Sequence, residues 1–76
     1  MHYVVLFSAK KHGIHTLDMV HAINNALRSL PNKESKLIIG PNRAGNLIEV
    51  GARFSEDSVL IYHAMKVQSR HMWRHS

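Results

Sequence analysis

The segment from Lys36 to Val67 constrains the fold more than any other part of the chain. Three β-rich runs, Lys36–Gly40, Asn46–Phe54 and Ser58–Val67, are separated by two short clusters of turn-forming residues. Pro41-Asn-Arg-Ala-Gly45 and Ser55-Glu-Asp-Ser58 supply the Pro, Gly, Asn, Asp and Ser that tight turns require. Connections this short leave no room for a crossover, so successive strands are predicted to run antiparallel as a meander.

One face of such a meander must be covered. Leu17, Val20, Ile23, Leu27 and Leu30 recur at helical spacing and predict one amphipathic helix from Thr16 to Leu30. Thr16 is its expected N-cap, Asp18 suits the positive end of the helix dipole and Arg28 the negative end. Pro31 stops the helix, and a polar loop follows. Ahead of it, Tyr3–Phe7 reads as a short strand or a turn. Ser8–Gly13 reads as one helical turn, with Ser8 as cap and Gly13 as its left-handed stop. The expected class is α+β: a short N-terminal strand or turn and one main amphipathic helix packed on a three-stranded antiparallel meander. Residues 1–76 form one domain.

The period of two assigns faces. Ile48, Val50, Ala52 and Phe54 point one way; Glu49, Gly51 and Arg53 point the other. A symmetric turn at Ser55–Ser58 sets Phe54 opposite Val59, which adds Ile61, His63 and Met65 to the apolar face. Leu60, Tyr62, Ala64 and Lys66 then join Glu49 and Arg53, and a one-residue slip exchanges the two sets.

Composition bounds the function. With no cysteine, neither a disulfide framework nor a thiolate zinc site is possible. No apolar run approaches the ~20 residues needed to span a bilayer. The opening Met1–Phe7 lacks the basic region of a signal peptide. A cytoplasmic protein with no membrane partner is expected. The net charge of +5 and a pI near 10.1 favour a polyanion or an acidic partner, although such a charge also serves simple solubility.

The catalytic signatures of several hydrolase and nucleotide-binding classes are missing: there is no Gly-x-Ser-x-Gly elbow, Walker loop or Rossmann fingerprint. His12 and His15, and likewise His71 and His75, lack a third ligand, so neither a metal site nor a cofactor is expected. His21 and His63 read as structural residues. RNA cleavage asks for less: one base, one acid and a few cations around the phosphate. Lys11, His12, Glu49, Arg53, Tyr62, Lys66 and Arg70 supply that set, as would the solvated surface of any basic domain.

Lys11-His-Gly-Ile14, directly ahead of a capped amphipathic helix, resembles the Lys-His-Gly-Val/Ile opening of BrnT-like toxins. Leu37-Ile-Ile-Gly-Pro-Asn-Arg-Ala-Gly-Asn-Leu-Ile-Glu-Val50 is similar to that family's hairpin, and Ile61-Tyr-His-Ala-Met65 to its final strand. The resemblance runs from about Ser8 to Arg70 and implies a RelE-like α+β ribonuclease of a type II toxin–antitoxin pair. Its partners would be RNA and a cognate antitoxin protein. Lys11, His12, Glu49, Lys66 and Arg70 are then the candidate catalytic residues; Lys10, Arg43, Arg53 and Tyr62 are the candidate RNA contacts. His63 stands where the broader family has serine and Met65 where it has arginine. The Met65 departure removes a cation expected in the active site, and the C-terminal helix of longer relatives is reduced here to a basic tail. These two losses leave a catalytically silent RNA- or protein-binding module as the alternative.

Overall fold

In the computed structural model, which describes residues 1–68, the meander is the inner part of a larger sheet. The elements are β1 (His2–Val5), a 3-10 helix (Phe7–Lys10), α1 (Thr16–Asn24), β2 (Arg28–Asn32), β3 (Ser35–Pro41), β4 (Leu47–Phe54) and β5 (Ser58–Lys66). The strand order is β1-β5-β4-β3-β2. β1 runs parallel to β5, and the other neighbours are antiparallel. This overturns the expected arrangement of one main helix on three strands: the described residues form a five-stranded mixed sheet with one short α-helix. No helix among the described residues is long and apolar enough to cross a membrane.

The difference begins after Asn24. The helix stops there, Asn25 takes a non-helical conformation, and the Leu27 N–H donates to the Ile39 carbonyl at 2.8 Å. Pairing with β3 then outcompetes the helical spacing of Leu27 and Leu30, because an uncovered β3 would carry a row of unpaired backbone groups. Pro31 is tolerated on β2 because that strand is an edge.

The helix is also rotated from the predicted stripe. Met19 and Ala22 are fully buried, while Leu17 is 54% exposed. The cap is His15, whose Nδ1 accepts from the Leu17 N–H at 3.0 Å, and not Thr16. Ser8 caps nothing; its hydroxyl donates to the Tyr62 carbonyl at 2.7 Å.

Met19 and Ala22 pack with Ala9, Ile38, Ile48, Val50, Ala52, Val59, Ile61 and Ala64 in a single core. The helix backbone lies directly on β3: a Cβ on Gly40 would stand 2.4 Å from the Ala22 carbonyl oxygen. Two polar contacts tie the same helix to the β3–β4 hairpin. His21 Nδ1–H donates to the Pro41 carbonyl at 2.8 Å. Asp18 Oδ1 accepts from both the backbone N–H and Nε of Arg43, at 2.9 and 2.8 Å. These hydrogen bonds hold the Asp18 carboxyl at about 2, well below the usual carboxylate range, and raise the Arg43 guanidinium in turn.

Phe54 does pair with Val59, but the β4–β5 register shifts between Gly51 and Ala52. Ala52 faces Ile61 and Gly51 faces His63, so Tyr62 is an extra residue in β5. Beyond this bulge the faces exchange. His63 and Met65 lie on the side away from the helix with Glu49 and Gly51, and Ala64 enters the core, the reverse of the expected sets.

Gly40→Ala should therefore lift the helix from the sheet and cost about 1–3 kcal/mol, read from denaturant unfolding. An unchanged midpoint would show that the helix is not seated on Gly40. Because the Asp18 pKa is depressed, its contribution is present above about pH 4 and is lost as the pH falls towards 2. A carboxylate titration by NMR should show Asp18 returning to the ordinary range in Arg43→Ala, with a smaller acid-induced loss of stability between those pH values.

Candidate functional site

The sheet face away from α1 collects the polar chemistry. On it, His63 Nε2 lies 2.8 Å from Glu49 Oε2, with both side chains about a quarter exposed (28% and 27%). With the proton on Nε2 donated to the carboxylate, the Nδ1 lone pair of His63 is left available as a base. The ring of His12 stands edge-on to that of His63, with centroids 6.3 Å apart and planes at 80°. One small substrate group can touch both rings.

Each member is placed by a different device. Glu49 follows the simple alternation of β4. His63 reaches the site through the bulge at Tyr62. His12 is carried by the turn after the 3-10 helix, where Gly13 takes φ +75°, a conformation that favours glycine. That turn is anchored to β5 three times: Ala9 is fully buried, the Leu6 N–H donates to the Ile61 carbonyl, and Ser8 holds the Tyr62 carbonyl. The bulge thus fixes His63 and, through Ser8, the approach of His12.

Tyr62 extends across the sheet above Gly51, where a Cβ would come within 2.9 Å of its Cζ. Its hydroxyl meets Ser35 Oγ at 2.8 Å. Ser35 itself donates to the Asn32 carbonyl at 2.9 Å, so the phenol is the donor to Ser35. The ring is held in place at both ends.

The cations are distributed differently from the sequence expectation. Lys10 and Lys11 are exposed on the segment leading to His12. Arg53 is on the site face and makes a loose 3.7 Å pair with Glu34. Arg43, expected to contact RNA, is instead clamped to Asp18 at the helix start. Lys66, expected near the reacting phosphate, pairs across the ladder with Ile48 and so lies on the helix side, away from Glu49 and His63. Arg70 lies outside the described residues. Arg28, expected at a helix end, occupies the site face in the row Arg28–Ile39–Glu49–Met65.

Sequence reasoning missed His63 and Arg28. The first was hidden because alternation cannot anticipate a bulge; the second was absorbed into a helical period that continued by coincidence. Among the described residues, no group of three or more His, Cys, Asp or Glu is arranged to hold a metal ion. Compared with known protein families, with curated proteins and with solved structures, the chain shows no significant match.

Proposed function

We propose that the protein is a metal-independent endoribonuclease, the toxin of a type II toxin–antitoxin pair, acting on cytoplasmic RNA and neutralised by a cognate antitoxin protein. The observation that carries this reading is the Glu49–His63 pair facing His12 on one open face of a basic domain. The likeness of Lys11-His-Gly-Ile14 to BrnT-like toxins supports the toxin assignment.

In the proposed reaction, His63 Nδ1 takes the proton of a ribose 2′-hydroxyl, and Glu49 stabilises the imidazolium that forms. The 2′-oxygen attacks the adjacent phosphorus, the bond to the 5′-oxygen breaks, and His12 in its protonated form gives that oxygen a proton. The products are a 2′,3′-cyclic phosphate and a 5′-hydroxyl. Histidine suits both roles because imidazole exchanges protons near neutral pH. Lys10, Lys11, Arg28 and Arg53 draw the phosphate backbone to this face. His63 replaces His12 as the base because only His63 has a carboxylate behind it.

One observation favours a catalytically silent binding module instead. Met65, where the resemblance expects arginine, sits opposite Glu49, so the position that would hold a cation beside the pair is apolar. The experiment that separates the two readings is RNA cleavage by the intact protein, with and without translating ribosomes. His63→Ala and His12→Ala should each lower the rate by about 10²–10⁴-fold while circular dichroism shows an intact fold. Glu49→Gln should lower it less and move the acid-side limb of the pH profile, which reports the base His63, to lower pH. Binding of RNA without cleavage by the parent protein would select the silent module.

A further inference from the structure

We infer that the depression at the β2–β3 turn is a nucleobase subsite suited to guanine. As the neighbour of a cleaved phosphate it rests on the ribonuclease reading, whereas its recognition chemistry stands by itself. The depression measures about 360 Å³ and is lined by Asn32, Lys33, Glu34, Ser35 and Arg53. That volume lies within the range of small-molecule sites, and the walls carry both donors and acceptors.

Its position relative to the histidines is set by the sheet. Arg53 lies two residues from Gly51, which pairs with His63, and two residues along a strand span about 7 Å. Adding the two strand spacings of about 4.8 Å from β5 to β3 puts Ser35 roughly 12 Å from His63, within reach of a base carried on an extended nucleotide. Tyr62 lies between them, stretched over Gly51 and fixed by Ser35, and offers an aromatic surface on which a base can stack. A strand with its phosphate at His63 and His12 therefore passes Tyr62 and brings the neighbouring base to the depression.

The polar groups select among bases. Glu34 only accepts hydrogen bonds and Arg53 only donates them. They stand 3.7 Å apart with side chains 84% and 58% exposed, a surface pair that opens at little cost. Guanine presents two adjacent donors, N1–H and the N2 amino group, beside the acceptors O6 and N7. Glu34 matches the donors and Arg53 the acceptors. Adenine lacks the N1 donor, uracil has a single donor between two acceptors, and cytosine offers only its N4 amino group, so each leaves one of the two side chains poorly matched. Ser35 and Asn32 are already bonded to each other and form a preset floor.

The test is titration of the intact protein with guanosine, adenosine, cytidine and uridine 3′-monophosphates, with inorganic phosphate as the anion control. Backbone amide shifts and calorimetry provide the readouts. Guanosine monophosphate should bind roughly ten-fold more tightly than the others and perturb Lys33, Ser35 and Arg53. Glu34→Gln, an exposed change that leaves the fold intact, should remove that preference; His12→Ala should keep it. Equal affinities for the four nucleotides, binding matched by phosphate alone, or an unchanged preference in Glu34→Gln would overturn the subsite. Guanosine selectivity without RNA cleavage would leave the subsite standing and remove the ribonuclease reading. Cleavage without guanosine selectivity would do the reverse.

Discussion

A single additional residue in β5 governs what this sheet shows to solvent. Without the bulge at Tyr62, strict alternation would send His63 and Met65 into the core beneath α1 and push Ala64 outward. An imidazole in that core would have neither a carboxylate nor water, and burial without a partner is costly. With the bulge, His63 meets Glu49, Tyr62 reaches over Gly51, and the Tyr62 carbonyl becomes the anchor for Ser8. The local irregularity therefore sets the polarity of one face and tethers the turn that bears His12.

The opposite face depends on close approach more than on bulk. A nine-residue helix offers little area, and its two fully buried side chains are Met19 and Ala22. It covers the sheet effectively because Gly40 lets its backbone sit directly on β3. His21 and Asp18 then bind the hairpin that follows Gly40. Asp18 also lies in the first turn of the helix, so its carboxylate favours the dipole as well as Arg43. Arg43 works here as a fastener, a role that draws it away from the histidine pair.

Much of the second half was legible from short-range chemistry. Turn residues at Pro41–Gly45 and Ser55–Ser58 delimit β3, β4 and β5, and alternation places Glu49 and Arg53 on the open face. What escaped was decided at long range. Arg28–Asn32 is extended because β3 needs an edge partner, and nothing within Leu27–Leu30 itself opposes a helix. Lys66 and His63 changed sides together because a backbone slip upstream reverses both. His12 was recognisable as a candidate from its place before Gly13, but its partner was not, since that proximity joins the first and last quarters of the chain.

The pairing of β1 with β5 places His2 beside Ser58 and Val5 beside Ile61. Contacts of such wide sequence separation close late, after the entropy of the intervening loop has been overcome. During synthesis the N-terminal strand, the 3-10 helix and the His12 turn all emerge with no surface to dock on, because that surface is β5. A nascent chain that has not yet extruded residues 58–66 lacks His63 and the register that orients His12. The two halves of the histidine pair thus meet only when almost the whole described chain is available, which makes the open-face chemistry one of the last features of the fold to assemble.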